Sequence, residues 1–213
     1  MSSPRRRKVL RDNISGISKS SFNNIAFRTG TVRSQSSLAI HEWREKTKAF
    51  LNTIIRDTIT YTEFRRAITV SEDDVKMSLE RNTNLVKKIL GSAPSKRCPT
   101  YASRKRNIKR SPDSKKKRQD PNVVFVRKVR FYQKQHDCVH LAKLPTERLI
   151  REIGQDYKND LKWSSDAIDL LRYALELYLE TLMKAAGYLS IYSGTKGRVT
   201  EKDIQAAEVI RGL

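Results

Sequence analysis

The sequence predicts an all-α protein built from two copies of one pattern, short helix, long helix, short helix, packed against each other. Three observations carry this. Two long stretches repeat apolar residues at spacings of three and four, the period of an amphipathic helix. Each is followed by an extended piece and a similar capping run, Val70-Ser71-Glu72-Asp73-Asp74-Val75 in the first half and Val199-Thr200-Glu201-Lys202-Asp203-Ile204 in the second. No Gly or Pro falls between Thr31 and Leu90, so nothing breaks the first long stretch.

The first unit opens with a short helix over Ser20–Arg28, stopped at Thr29-Gly30, where Gly takes the left-handed cap at no steric cost. Ile40, Trp43, Thr47, Phe50, Ile54 and Tyr61 then form one stripe, widened by Leu51, Ile55 and Ile59. A helix of some 28 residues would be about 42 Å long. Arg65-Arg66 close it with the charge that suits a helix C-terminus. Ile68-Thr69-Val70 reads as extended, and Ser71 with Asp74 as a capping box for a short helix to Arg81.

The second unit repeats this. Pro145 suits the first turn of a short helix over Glu147–Ile153, ending near Gly154. Ser164-Ser165 precede a long helix whose stripe is Ile168, Leu171, Leu175, Tyr178, Leu182 and Leu189. Gly187 weakens its last turn. The box at Thr200–Asp203 opens a final helix over Ile204–Ile210. Stripes this long exceed what two short helices can cover, so each unit needs a partner, and the natural pairing is internal. A pair of coiled-coil hairpins fits the same rhythm, but the loop and cap after each long helix argue against it.

Between the units the composition changes. Residues 91–122 hold 11 basic and 2 acidic side chains, four of the six prolines and almost no aliphatics. Such a segment cannot bury enough apolar surface to offset chain entropy. The expected organisation is a basic tail at 1–17, a folded unit at 18–82, a basic disordered linker at 83–122, and a second unit at 123–213 with its own N-terminal helix. The linker would reach roughly 35 Å as a coil of about forty residues.

With 213 residues, a net charge of +21 and a pI near 10.2, the chain points to a polyanionic partner, nucleic acid first. A mean hydropathy of −0.64 and short apolar runs such as Val123–Val126 exclude a membrane-spanning helix. The first ten residues lack the apolar segment of a secretory signal. Cys98 and Cys138 make no disulfide framework, so reduced thiols are expected. His136-Asp137-Cys138-Val139-His140 gathers three metal-ligand types without the paired spacing of structural zinc, and reads as surface helix. Gly194-Thr195-Lys196-Gly197 lacks the spacing of a phosphate loop. Trp43 and Trp163 read as core or loop anchors. No nucleophile signature is present. No enzyme activity, metal, cofactor or small-molecule substrate is expected.

Specific runs carry a family resemblance. The first unit, with KVLRDNI at Lys8–Ile14, IIRDTITYTE at Ile54–Glu63 and TVSEDDV at Thr69–Val75, resembles histone four. The second, with RFYQK at Arg130–Lys134, KLPTERLIREIGQDYK at Lys143–Lys158 and KDIQAAEVIRG at Lys202–Gly212, resembles histone three. One chain holding both, in this order, is similar to the fused histone doublets of giant DNA viruses of the marseillevirus type.

The resemblance implies two histone folds paired as an intramolecular handshake, binding double-stranded DNA without sequence preference through inserted arginines, helix N-termini and hydroxyls. The residues it sets on DNA are Lys19, Arg28, Arg33 and Thr69 in the first unit. In the second they are Arg127, Arg130, Lys143, Arg148, Arg151, Lys162, Arg198 and Thr200. Tyr192, Arg198 and Asp203 fall where two doublets would meet. A second copy and a companion doublet of the other two core histones are the implied protein partners, with residence in a virion or viral factory, or otherwise in the nucleus on a chromosome. Departures weaken the grip. Asn23, Asn24, Phe27 and Ile68 stand where the family has cations, and Lys162 where it has an arginine that fits a narrow groove. Tyr192 replaces a histidine. The competing reading is a histone-fold subunit of a transcription or replication complex that acts mainly through protein partners.

Overall fold

A computed structural model describes residues 13–80, 99, 120–135 and 138–211. The tail up to residue 12, most of the linker, Arg81, Cys98 and His136-Asp137 lie outside the described residues, as do the expectations attached to them.

Seven α-helices are described: α1 (Lys19–Thr29), α2 (Ser37–Phe64), α3 (Glu72–Leu79), α4 (Pro121–Gln133), α5 (Lys143–Tyr157), α6 (Ser165–Tyr192) and α7 (Glu201–Arg211), preceded by a 3-10 turn at Asn13–Gly16. The long helices α2 and α6 each have 28 residues. Their starts are set by serine caps: the Ser36 and Ser164 side chains accept from the Ala39 and Ala167 amides. Gly30 ends α1 at φ 77°, as its position in the sequence requires. The capping box at Ser71 is complete, and the one at Thr200 shows its carboxylate half. Ser71 and Asp74 exchange hydrogen bonds at the start of α3, and Asp203 accepts from the Thr200 amide and hydroxyl at the start of α7.

Among the described residues, four two-residue strands tie the halves together. β1 (Ser34–Gln35) pairs in parallel with β4 (Arg198–Val199), and β2 (Thr69–Val70) with β3 (Lys162–Trp163). The loop before α2 therefore meets the loop after α6, and the loop after α2 meets the loop before α6. The long helices run head to tail, each unit's short helices packing against the other unit's long one. This is the internal pairing the stripes require, and the described fold is an all-α pair of short–long–short helix units.

The core lies between α2 and α6. Trp43, Leu51 and Ile55 of α2 are fully buried, and the Phe50 and Tyr178 rings stack 4.2 Å apart. Each such aliphatic side chain contributes about 1.5–3 kcal/mol. α6 is buried well beyond its stripe, at Leu170, Leu177 and Leu179 as well, because α1 and α3 cover its other faces. Gly187 interrupts nothing. A Cβ there would lie 2.2 Å from the Thr31 hydroxyl oxygen, so glycine admits the loop of the first unit.

Three local expectations need correction. Gly154 does not end a short helix: α5 continues to Tyr157, and Gly154 makes room for the Trp163 ring, which a Cβ would meet at 3.0 Å. His140 is not on a surface helix but buried and non-helical. Cys138 is disulfide-bonded rather than a reduced thiol.

Candidate nucleic-acid interface

The loop pairings build two clusters at opposite ends of the helix pair. At one end the Arg33 and Ser34 amides donate to the Gly197 carbonyl at 2.8 and 3.2 Å, and Ser34 lies opposite Arg198. Arg33, 164 positions before Gly197 in sequence, is thus set next to Arg198, and both side chains are exposed. Gly194, Lys196 and Gly197 all take positive φ in the turn that feeds β4, which lets the chain reverse tightly enough to reach β1. Lys196 is an exposed cation of this turn that sequence reasoning passed over.

At the other end Thr69 lies opposite Lys162, both exposed. The Lys162 amide donates to the Ile68 carbonyl and the Ser164 amide to the Val70 carbonyl. Arg65 fixes this loop from behind. Its guanidinium holds both oxygens of Asp74, at 3.1 and 2.6 Å, and also donates to the Thr69 carbonyl and the Ser71 hydroxyl. Burial pushes the Asp74 carboxyl up, but the bonds from Arg65 and Ser71 outweigh it and hold it below the usual carboxylate range.

The remaining cations fall into two groups. Lys19 at the start of α1, Arg127 and Arg130 on α4, and Arg148 on α5 present exposed side chains. Arg151 is exposed while paired with Glu147 at 2.8 Å, one turn away. Lys143 is committed inward, its ammonium donating to Asp169 at 2.9 Å and Ser165 at 3.0 Å.

Two further residues of the expected surface are engaged within the chain. The Arg28 side chain is 9% exposed and pairs with Glu176 at 3.1 Å and Glu180 at 3.6 Å. Thr200 donates both its hydroxyl hydrogen and its amide to Asp203, which engages that hydroxyl proton within the chain. The same contact buries Asp203, which sequence reasoning had set on an outer contact surface.

Glu176 organises the interior below this surface. It takes the Arg28 guanidinium on one oxygen and the His140 and Leu141 amides, at 2.7 and 3.1 Å, on the other. Burial raises its pKa to about 7 against the opposing pull of these donors. Burial, assisted by the Arg28 charge, lowers His140 to about 4.

Apolar side chains crowd the outer ends of both units. Tyr192 is 93% exposed, and Tyr188, Ile191, Val209 and Ile210 are exposed around the ends of α6 and α7. Phe64, Ile68 and Met77 are exposed at the end of the first unit. Except for Tyr192, sequence reasoning missed these as a surface. The available signal was their position off the buried stripes.

Residues 121–210 match the family model for the core histone domain, the one that covers all four core histones. The match runs from the start of α4 to the last turn of α7. The second unit thus carries a core histone domain.

Proposed function

We propose that this chain packages double-stranded DNA as a fused histone pair, with the first unit in the role of histone four and the second in that of histone three. The single observation that carries the reading is the pair of loop bridges that set Ser34, and Arg33 before it, beside Arg198, and Thr69 opposite Lys162. Parallel strand bridges hold cations and a hydroxyl at two points along one face, which suits successive inward turns of a duplex backbone without base reading. Lys19, Arg127, Arg130, Arg148 and Arg151 extend this surface. Residues 1–17 serve as a basic tail, and 83–122 as a basic connector between units at 18–82 and 123–213.

The exposed apolar end around Tyr192 fits a second copy of this chain, and the end around Phe64 a companion pair of the other two core histones. The fusion favours a viral genome as cargo, in a virion or viral factory. Association with a chromosome is the more general expectation for a histone fold. No catalytic step, metal or cofactor enters this reading.

Reconstitution with DNA and a companion histone pair, followed by nuclease digestion and mass measurement, tests it. Packaging requires a discrete protected length and a particle of fixed stoichiometry. Complexes without protection would instead favour a subunit that works through protein partners.

A further inference from the structure

We propose that Phe27 is a positioning residue for DNA binding: it docks α4 on α1 before any duplex arrives and so fixes the place of Arg127 and Arg130. The proposal deepens the DNA reading above and rests on it.

The sequence presents Phe27 as a lost cation. The structure gives it another task. Its ring lies 6.1 Å from Phe125, edge to face at 63°, and 6.1 Å from Tyr132, nearly parallel at 14°. The Lys128 ammonium stands 5.2 Å above it, within range of a cation–π attraction. Tyr132 is buried and turns its other side, edge to face, to His140 at 5.3 Å. Beyond the cluster, a Cβ on Gly30 would meet the Gln133 amide at 2.9 Å and Val129 at 3.6 Å, so α4 also crosses the end of α1 closely.

These contacts use residues 125, 128, 129, 132 and 133, one face of a helix by their spacing. Val123, Val126, Arg127 and Arg130 occupy the opposite, exposed face. Thirteen residues are too few for a helix to be stable alone in water. Tertiary contact must hold α4, and Phe27 is the side chain of α1 at the centre of that contact. An arginine at position 27 would add a rim charge but remove the ring that orders two others.

The test uses the full chain with Phe27→Ala, Phe27→Leu, Phe27→Arg and Arg130→Ala, plus the double variant Phe27→Ala/Arg130→Ala. In the DNA-free protein, amide exchange over residues 124–133 should speed up by about tenfold in Phe27→Ala, while α2 and α6 keep their protection. Phe27→Leu should recover part of it. On a short duplex, Phe27→Arg should bind more weakly than the native chain. Arg130→Ala should lower affinity in the native background and have no further effect beside Phe27→Ala. Tighter binding by Phe27→Arg, or independent losses in the double variant, would overturn the proposal alone. Full native affinity in Arg130→Ala would overturn the DNA reading of α4, and this proposal with it.

Discussion

Phe50 and Tyr178 are each the fourteenth residue of a 28-residue helix, and their rings stack at 4.2 Å with 13° between planes. The two long helices therefore cross at their midpoints, and the pair's approximate symmetry centres on one aromatic contact. Phe50→Ala should cost about 3–5 kcal/mol in a urea titration. Combined with Tyr178→Ala, the losses should fall short of additive by about 0.5–1.5 kcal/mol. Additive losses would mean that the rings touch without coupling the helices.

Arg28 and Glu176 join the first short helix of one unit to the long helix of the other. Arg28→Met leaves a buried carboxylate without its cation and should destabilise the fold by about 3–5 kcal/mol. Arg28→Lys should fold better than Arg28→Met and leave the salt dependence of DNA binding unchanged, since the native guanidinium faces inward. A salt slope reduced by one phosphate contact in Arg28→Met, measured where that variant is folded, would return this residue to the interface.

The buried pair of titrating groups has opposite signs. His140 sits below its ordinary value, at about 4, so the stability it contributes is present above pH 6.5 and lost as pH falls toward 4. Glu176 sits above its ordinary value, at about 7, so its contribution is present below pH 4.5 and lost as pH rises through 7. Between about pH 4.5 and 6.5 the two slopes oppose each other. His140→Phe removes one of them, so its stability relative to the native chain should rise steadily as pH is lowered from 6.5 to 4. Parallel pH profiles, measured by urea midpoints, would rule this out.

Gly187 packs against Thr31 across the two units. Gly187→Ala puts a methyl into the Thr31 side chain and should cost about 1–3 kcal/mol. Adding Thr31→Gly should restore part of the loss. No recovery would locate the damage within α6 rather than at the contact with the loop.

The rim cations should separate by salt dependence. Arg33→Ala and Arg198→Ala are each expected to lower the slope of log affinity against log salt by about one unit. Lys162→Arg should raise the salt concentration at which DNA dissociates, because a planar guanidinium enters a narrow groove better than an ammonium. An unchanged midpoint would place Lys162 off the groove.

Much of the fold could be read from the sequence because its determinants are local. The stripes on α2 and α6, the cap at Gly30 and both capping runs involve residues within a turn or two of each other. The departures share a cause, which is a partner outside the residue's own element. Arg28 looked like a surface cation because Glu176 is 148 residues on. Gly154 looked like a helix end because the Trp163 ring that needs its space comes from the next loop. Thr200 differs: its Asp203 partner was visible, but the bond to that carboxylate uses the hydroxyl proton that a phosphate would need. The loop residues Arg33, Thr69, Lys162 and Arg198 were identified by resemblance, while their pairing into two clusters emerges only once the strands are seen side by side.

Each described bridge, β1 with β4 and β2 with β3, takes one strand from either half of the polypeptide. Translation of a single message therefore delivers both sides of both bridges in equal number. Separately encoded partners depend on matched dosage to avoid stranding one greasy half-molecule. Here that ratio is fixed at one to one by the ribosome.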